Sequence, residues 1–281
     1  MKVSIYVIQY NKPEFLELQY NLLKKYCKDD FEYIVVNNGK DEENVNIFHK
    51  FCIDNNIREI QTFQNRIPNT QDHTRALKYI YDEFLSKDMS DFRTIIDHDI
   101  FPFGAFSIAN IMENYEVSGI RLGGFPYYIS SFIIIFNKLF DVTNIDMDIH
   151  AKQDATTWTY GISNSHKTKW LKHTTQGYRE IYYIFKNHPA IIEEYNRLGR
   201  RDITFQIIEN NLLHYWQGSE WNRGNVDFHK IKLDFIKFII DNVKTDQLIL
   251  DNNVFYDSAI IHEWLNPTSY PLNKIDENEY I

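Results

Sequence analysis

Two aspartates separated by one residue follow a short apolar run in the stretch FRTIIDHDIFPF, which spans Phe92–Phe103. The run Thr94–Ile96 predicts a buried strand that delivers Asp97 and Asp99 to its carboxyl end. Two like charges at such a place are stabilised only when a cation lies between them or when solvent reaches them. The stretch therefore predicts either a metal-binding Asp-x-Asp pair or a strand that ends in an exposed acidic turn.

Short apolar runs alternate with amphipathic segments over the N-terminal third of the chain and predict the order β-α-β-α-β-α-β. The predicted strands are Val3–Ile8, Tyr33–Val36, Ile57–Phe63 and Phe92–Ile96, and the predicted helices begin at Pro13, span 41–56 and begin at Asp72. Continuous apolar strands that alternate with helices are typical of a parallel sheet covered on both faces. This part of the chain therefore predicts an α/β fold.

Three polar clusters follow three of the predicted strands. They are Gln9-Tyr10-Asn11, Asn37-Asn38-Gly39 and Asp97-His98-Asp99. In sheets of this kind, ligands bind beyond the carboxyl ends of the strands. We therefore expect the three clusters to meet at one edge of the sheet and to form one polar site. If the strand continues through His98, this side chain points away from its two neighbours, which favours a structural role for it.

The second half of the chain has a different pattern, with loops rich in Asp, Thr, Asn and His. Two strands, one short apolar run and one helix are predicted there, at Gly119–Phe125, Ser131–Phe136, Leu212–Tyr215 and Phe228–Val243. The segment Ile203–Ile208 fits a strand or a helix. No linker separates the halves, so we predict one continuous domain with 1–140 and 141–281 as its two parts, and with a polar tail at its end.

The net charge of −9 at pH 7 argues against a basic surface that binds nucleic acid. A polyanionic substrate would therefore need a cation at its site. The two cysteines, Cys27 and Cys52, are predicted to be buried free thiols, which suits a reducing compartment and a cytoplasmic location. No apolar run approaches the roughly 20 residues that span a bilayer. The N-terminus has the pattern of a first strand and lacks that of a signal peptide.

Six motifs in chain order resemble the GT-A fold glycosyltransferase family. They are VSIYVIQYNKPE, YIVVNNG, DHTRALKYIYDEF, IIDHDIFPFG with the Asp-x-Asp pair, YYISSFIIIFNK and LLHYWQGSEWN. The resemblance implies a GT-A (Rossmann-like) fold, with a mixed, mainly parallel sheet, helices on both faces and a C-terminal acceptor-side region. It also implies transfer of a sugar from a nucleotide-diphosphate donor, with UDP favoured, to a hydroxyl of a glycan or glycoconjugate.

The resemblance further implies a metal site made of Asp97, Asp99 and His214. Mn²⁺ or Mg²⁺ would bridge the donor phosphates there and stabilise the departing nucleoside diphosphate. Asp99 is the expected direct ligand, whereas Asp97 ligates the ion or contacts the ribose and bound waters. Oxygen ligands suit both ions, and one imidazole is compatible with Mn²⁺. A lone histidine is more often structural, which is the alternative for His214.

The residues of a donor site also follow from the resemblance. Gln9 and Tyr10 would line the base pocket, Asn11 beside them is a further donor-site candidate, and Asn37 stands where the family often has an aspartate that reads the base. The alternative is that Asn37 only fills a turn, since asparagine tolerates positive φ. The remaining donor-site candidates, which include three arginines able to pair with phosphate, are Asn38, Arg66, Asp72, Arg75, His98 and Arg223.

An inverting transfer needs a general base that accepts the proton of the acceptor hydroxyl. Asp154, in the segment DATTWTY, is the predicted base, and Glu220 is the reserve candidate. A reaction that retains the configuration would need neither. Three tryptophans could stack on sugar faces, against a default role in packing: Trp158, Trp216 and Trp221.

Two other functional classes stay open at this point. A non-catalytic protein that binds a sugar or a nucleotide would share the fold, because a fold alone does not establish an activity. A metal-dependent phosphohydrolase would use histidine and aspartate ligands clustered across several loops. The histidines at positions 73, 98, 173 and 214 show no such grouping in the sequence, which disfavours the hydrolase. The sequence carries no signal for an oligomeric state.

Overall fold

The computed structural model describes residues 1–62, 70–120, 133–140, 167–171, 173–175, 185, 187–198, 205–215 and 226–244. The strands are β1 (Lys2–Gln9), β2 (Asp30–Asn37), β3 (Arg58–Gln61), β4 (Phe92–Asp97), β5 (Ile100–Pro102), β6 (Val117–Gly119), β7 (Ile133–Asn137), β8 (Thr168–Trp170), β9 (His173–Thr175), β10 (Gln206–Ile208) and β11 (Leu212–His214). The helices are α1 (Pro13–Tyr26), α2 (Glu42–Asp54), α3 (Thr70–Glu83), a 3₁₀ turn (Leu85–Lys87), α4 (Ile108–Met112), α5 (Pro189–Arg197) and α6 (Val226–Asn242).

The larger sheet has seven strands in the order β3-β2-β1-β4-β7-β6-β8. Strand β1 pairs in parallel with β2 and with β4, and β2 pairs in parallel with β3. Strand β7 runs antiparallel to β4 and β6, whereas β8 is parallel to β6. The predicted α/β fold with a mixed, mainly parallel sheet is therefore confirmed, and so is the predicted alternation of the first four strands with three helices.

Strand β1 shows why the strands have continuous apolar sequences. Val3, Ile5 and Val7 pack into a cluster with α1 and α2 on one face of the sheet. Tyr6 and Ile8 pack into a second cluster with α3 on the other face. Because successive side chains of a strand point to opposite faces, a strand covered on both sides needs apolar residues at every position. Helices thus cover both faces of the sheet.

The smaller sheet has four strands in the order β5-β11-β10-β9, and each neighbouring pair is antiparallel. Its core includes Phe101 and Leu213 and packs against α6 and against helix α1. Phe15 of α1 belongs to this core, whereas the next residue, Leu16, belongs to a core of the larger sheet. Helix α1 therefore lies between the two sheets. The chain crosses from the larger to the smaller sheet where β4 leads into β5.

Some predicted bounds differ from the structure. The third strand is shorter than the predicted Ile57–Phe63, and Ile203–Ile208 is a strand where it is described, at β10. Of the predicted strand Gly119–Phe125, only Gly119 lies in a described strand, and 121–125 lie outside the described residues. The predicted C-terminal tail also lies outside them. Each sheet takes strands from both predicted parts of the domain, and the boundary at residue 140 stays a prediction.

Both cysteines are free thiols, as predicted. The prediction that both are buried is wrong for Cys27, which is only half-buried because it lies at the end of α1, whereas Cys52 is buried between α2 and the sheet. Within the described residues, none of the helices combines the length and the apolar character required to cross a membrane.

Candidate metal centre

Sheet pairing brings the Asp-x-Asp loop and His214 together. Strand β4 ends at Asp97, and β5 begins at Ile100, so Asp99 lies in the turn that joins the two sheets. In the smaller sheet His214 pairs directly with Ile100. The N–H of the following residue, Tyr215, donates to the carbonyl oxygen of Asp99 over 2.8 Å. The backbone register of β5 and β11 therefore places the imidazole beside the aspartates.

The three side chains offer ligand atoms that all lie within 4.8 Å of one another. Nε2 of His214 lies 3.2 Å from Oδ1 of Asp99. Asp99 and His214 are each 2% exposed, whereas Asp97 is partly open to solvent. A buried carboxylate beside a second carboxylate is stable only with a compensating cation. Two carboxylates and one imidazole fit Mn²⁺ or Mg²⁺ by the chemistry of the donor atoms.

Gln19 of α1 holds the shape of the Asp-x-Asp loop. Its Nε2 donates to the carbonyl oxygens of Asp97 and Ile100, each over 2.7 Å, and its Oε1 accepts from the Tyr33 hydroxyl over 2.8 Å. Gln19 is 0% exposed, so these bonds are shielded from water. The sequence prediction missed this residue. Its signal was a glutamine four residues after Phe15, on the apolar face of the helix.

His98 packs beneath the loop. Its ring stacks on Phe15 with 5.7 Å between centroids, and its Nδ1 lies 3.4 Å from Oδ1 of Asp97. Burial would lower the pKa of His98, but the hydrogen bond to Asp97 and the charges of Asp97 and Asp99 together raise it above its ordinary value. The surroundings of the loop thus favour positive charge. The packing matches the structural role predicted for His98, and its donor-site role stays a prediction.

Tyr215 is braced by two helices. Its hydroxyl lies 2.7 Å from Nδ1 of His229 on α6, and Nε2 of His229 lies 2.8 Å from Oε1 of Glu14 on α1. The Tyr215 ring also packs against Phe15 at 5.0 Å. Because the backbone of Tyr215 binds that of Asp99, this chain of contacts fixes Tyr215, the residue that follows the metal-ligand candidate His214.

Lys232 of α6 is a second positive group near the site that the sequence prediction missed. It is buried, and its Nζ lies 4.0 Å from the centroid of the Tyr215 ring. Burial lowers the pKa of Lys232 to about 7, and the negative charge of Asp99 acts in the opposite direction. In the sequence, this lysine is one of several charged residues of an amphipathic helix, and nothing there distinguishes it from those on the surface.

Two amide side chains at the end of β1 are buried without a polar partner. Gln9 is 0% and Asn11 is 8% exposed, and the described residues provide no hydrogen bond to the nitrogen or the oxygen of either amide. Burial raises the pKa of Tyr33 and the nearby Gln9 amide acts in the opposite direction, while the Tyr33 hydroxyl donates its hydrogen to Gln19. Buried polar groups in native proteins normally have partners. These two amides are therefore candidates for contact with a polar ligand.

Asn37 organises the turn that follows β2. Its Nδ2 donates to the carbonyl oxygen of Val45 over 2.9 Å and to Oε1 of Glu59 over 2.6 Å, and its Oδ1 accepts from the N–H of Gly39 over 3.3 Å. Both amide hydrogens are therefore used within the protein. A Cβ at Gly39 would lie 2.7 Å from the Val45 nitrogen, so the turn needs glycine. These contacts fit the alternative interpretation of Asn37, and its role in reading a base stays a prediction.

The side chains of some of the other predicted site residues are described in the structure, and those of the rest are outside it. Asn38 is buried and accepts from the Thr62 hydroxyl, and Tyr10 is half-buried and accepts the N–H of Lys40 at its carbonyl oxygen. Arg75 is half-buried on α3. Asp72 lies on the same helix, but its side chain is outside the description, as are Arg66, Asp154, Trp158, Trp216, Glu220, Trp221 and Arg223. The roles predicted for all of these residues stay predictions.

Solved structures with similarity to this chain include three glycosyltransferases. TarS of S. aureus is 18% identical over 61% of this chain, with a TM-score of 0.41, and this chain covers 36% of TarS. An active-site mutant of LgtC is 11% identical over 60% of this chain and 72% of its own, with a TM-score of 0.41. The mannosyltransferase PcManGT from Pyrobaculum calidifontis, in complex with GDP-Man and Mn²⁺, is 12% identical over 48% of this chain and 44% of its own, with a TM-score of 0.35. Neither a protein-family model nor a curated protein matches the chain.

Proposed function

We propose that this chain is a divalent-cation-dependent glycosyltransferase that uses a nucleotide-diphosphate sugar as donor and a hydroxyl of a glycan or glycoconjugate as acceptor. The cluster of Asp97, Asp99 and His214 is the observation that carries the proposal. It lies at the carboxyl edge of a mainly parallel sheet, where such sheets bind their ligands. The same edge holds the buried amides of Gln9 and Asn11.

The proposed cation is Mn²⁺ or Mg²⁺, held by Asp97, Asp99 and His214. When bound, it supplies positive charge that stabilises the negative charge developing on the departing nucleoside diphosphate. The protein supplies a rigid frame for its ligands, because Gln19 binds the backbone on both sides of the loop. Lys232 is buried close enough to Asp99 for the two charges to interact, and with a pKa of about 7 its amine is partly protonated at neutral pH. Its protonated form adds attraction for a polyanionic donor.

The nucleoside part of the donor is proposed to bind at the end of β1. Gln9 and Asn11 each present one amide oxygen and one amide nitrogen without a partner in the described structure. Together they can accept from and donate to the edge of a base or a ribose hydroxyl. We favour UDP as the nucleotide. The backbone around Asn37 shapes the neighbouring wall, and Tyr10 lies between the two amides in the chain.

The proposed reaction is a substitution at the anomeric carbon of the sugar. The oxygen of the acceptor hydroxyl forms a bond to this carbon, and the bond from the carbon to the phosphate oxygen breaks. The electron pair of that bond leaves with the nucleoside diphosphate. In an inverting reaction, the hydroxyl proton passes to a general base. Asp154 is our candidate for this base, and Glu220 is the reserve.

A thermal-shift screen of the full chain tests the donor site. UDP-linked and GDP-linked sugars are added one at a time, with and without Mn²⁺. We expect a rise in melting temperature that needs both the nucleotide sugar and the metal, because a ligand that binds only the folded state stabilises it. Asp99→Asn should abolish the rise. Asp91→Asn is the matched control, because Asp91 is an aspartate at the opposite end of β4 that pairs with Lys138.

A second assay separates an enzyme from a binding protein. With the nucleotide sugar that stabilises the chain, and with a set of glycan acceptors, we expect release of free nucleoside diphosphate that depends on Mn²⁺. Stabilisation without release by any acceptor would favour a non-catalytic binding protein. Absence of stabilisation by every nucleotide sugar would contradict the proposed function itself.

A further inference from the structure

A tight hairpin places Gln206 directly opposite the ligand candidate His214. Strands β10 and β11 pair antiparallel with Gln206 and His214 in register. The turn between them has positive φ at Glu209 (50°) and Asn210 (64°), and the N–H of Asn211 donates to the carbonyl oxygen of Ile208 over 3.1 Å. Two successive residues with positive φ tighten this turn, and three residues, 209–211, separate the paired Ile208 and Leu212. The observed register places Gln206 and His214 directly opposite each other, so both side chains lie on one face of the hairpin.

The pair makes a short side-chain hydrogen bond. Oε1 of Gln206 lies 2.8 Å from Nδ1 of His214, and both residues are 2% exposed. An amide oxygen can only accept, so Nδ1 must carry the hydrogen. In a neutral imidazole the other nitrogen, Nε2, then has a free lone pair. Nε2 is the nitrogen that lies 3.2 Å from Asp99 Oδ1, within the cluster of candidate ligand atoms.

The other tautomer would block the site. With its hydrogen on Nε2, the imidazole could donate to the carboxylate of Asp99 across the same 3.2 Å. That bond would occupy a candidate ligand atom of each residue and leave Nε2 without a lone pair for a cation. The acceptor oxygen of Gln206 opposes this state, because the second tautomer would direct the Nδ1 lone pair at the lone pairs of the amide oxygen. In the first tautomer the Nε2 lone pair faces the Asp99 carboxylate instead, and a cation held between them makes that arrangement favourable.

We propose that Gln206 is a positioning residue, which selects the tautomer of His214 and orients its ring so that Nε2 can ligate a divalent cation. Partners of this kind for metal-bound histidines are commonly carboxylates, carbonyl groups or water. Here a side-chain amide from the neighbouring strand takes that role. The inference rests on the proposed function, because it needs His214 to be a metal ligand, but it adds a residue that does not touch the cation.

The binding test compares two substitutions with opposite expectations. Gln206→Met keeps the length of the side chain and removes the acceptor, whereas Gln206→Glu keeps an acceptor oxygen in its place. The dissociation constant of Mn²⁺ is measured on the full chain from the electron paramagnetic resonance signal of free Mn²⁺. We expect Gln206→Met to weaken binding by about 10-fold to 100-fold. Gln206→Glu should bind at least as tightly as the wild type. Ile208→Val, a core substitution in the same strand, is the control and should leave the affinity unchanged.

A spectroscopic test addresses the tautomer itself. Long-range ¹H–¹⁵N correlation spectra of the chain saturated with diamagnetic Mg²⁺, at about pH 8, report which imidazole nitrogen carries the hydrogen. We expect the hydrogen of His214 on Nδ1 in the wild type and a shift towards Nε2 in Gln206→Met. If Gln206→Met does not fold, the wild-type spectrum and the Mn²⁺ affinity of Gln206→Glu still test whether Gln206 selects the tautomer of His214.

Three outcomes would overturn either the role of Gln206 or the metal site, and the measurements distinguish the two cases. A wild-type spectrum with the hydrogen on Nε2 would overturn the role of Gln206. So would an unchanged Mn²⁺ affinity in Gln206→Met while Asp99→Asn abolishes binding, and in that case the proposed function would stand. Absence of Mn²⁺ binding by the wild type, with or without a nucleotide sugar, would overturn the metal site and with it this inference.

Discussion

Polar side chains at the amino end and at the carboxyl end of the parallel strands differ in how they are paired. At the amino end, the hydroxyl of Tyr6 donates to Asp88 over 2.8 Å, and the N–H of Ser90 donates to the same carboxylate over 2.8 Å. The hydroxyls of Ser4 and Ser90 bind each other over 2.7 Å. These four side chains are therefore paired with each other, and they connect β1 to the residues just before β4.

At the carboxyl end, β1 finishes in polar groups that the described structure leaves unpaired, and β4 finishes in a cluster of candidate metal ligands. Strand β1 ends at Gln9, and its amide and that of Asn11 are buried without a hydrogen-bond partner among the described residues. Strand β4 ends at Asp97, which together with Asp99 and His214 brings candidate ligand atoms within 4.8 Å of one another. The comparison supports the proposal that the carboxyl end binds the ligands, as the carboxyl ends of open α/β sheets do in general.

Of all the substitutions, Asp99→Asn should have the largest effect on ligand binding at the carboxyl end. Removal of the buried carboxylate charge should weaken Mn²⁺ binding by about 1000-fold, or about 4 kcal/mol. Isothermal titration calorimetry with Mn²⁺ measures the change. The control is Asp91→Asn at the other end of β4, which should bind Mn²⁺ as the wild type does. Equal loss in both variants would show that the carboxyl end has no special role.

Gln19→Met should have the next largest effect, this time on stability. It removes three buried hydrogen bonds and leaves the carbonyl oxygens of Asp97 and Ile100 without this donor. At about 1 kcal/mol for each bond, we expect a loss of about 3 kcal/mol in the free energy of unfolding. Urea denaturation followed by circular dichroism measures it. Because the loop loses its frame, Mn²⁺ binding should weaken as well, and unchanged Mn²⁺ affinity would show that Gln19 does not organise the site.

Asp88→Asn should cost about 1 kcal/mol of stability through weaker hydrogen bonds and leave Mn²⁺ affinity unchanged. Burial would raise the pKa of Asp88, but the hydrogen bonds from Ser90 and Tyr6 outweigh it, so the pKa is lower in the folded chain than in the unfolded one. The stabilisation is therefore complete above the unfolded pKa of about 3.9 and is lost as the pH falls through the lower folded pKa. Denaturation curves of the wild type and of Asp88→Asn are recorded from neutral to acid pH. The difference in the free energy of unfolding between the two proteins should disappear at low pH.

Gln9→Met should have the smallest effect on stability and is the matched partner of Gln19→Met. Both glutamines are 0% exposed, but Gln9 has no hydrogen-bond partner among the described residues. Replacing its amide should leave the free energy of unfolding unchanged or raise it by about 1 kcal/mol. Binding of the nucleotide sugar should nevertheless weaken about 10-fold. A loss of stability as large as that of Gln19→Met would contradict the assignment of Gln9 to a ligand.

Local sequence patterns were sufficient for the first four strands of the larger sheet and the three helices between them. The continuous apolar strand β1 and the aspartates directly after β4 carried their own signals, because burial on both faces and a sudden change to charge are visible in a short window. The contact of Asp99 with His214 has no such signal. It depends on the pairing of β5 and β11, which are three residues each and more than one hundred residues apart in the chain.

The residues that support the candidate site were harder to predict. Gln206 resembles any other polar residue in the sequence, and only its contact with His214 distinguishes it, whereas Gln19 is marked only by its place on the apolar face of α1. For Asn37 two roles are open in the sequence, and the neighbouring strand supports its role in the turn by placing Glu59 within 2.6 Å of the amide. Contacts between distant segments thus supplied what local pattern could not.

The coupling between metal and nucleotide tests the central claim most directly. The dissociation constant of Mn²⁺ is measured on the wild-type chain with and without a saturating nucleoside diphosphate, corrected for binding of Mn²⁺ by the free nucleotide. If one site at the carboxyl edge holds both ligands, each must tighten the binding of the other by the same factor. We predict that the nucleotide tightens Mn²⁺ binding at least about 10-fold, and that Asp99→Asn removes the effect. Equal Mn²⁺ affinity with and without nucleotide would contradict the account.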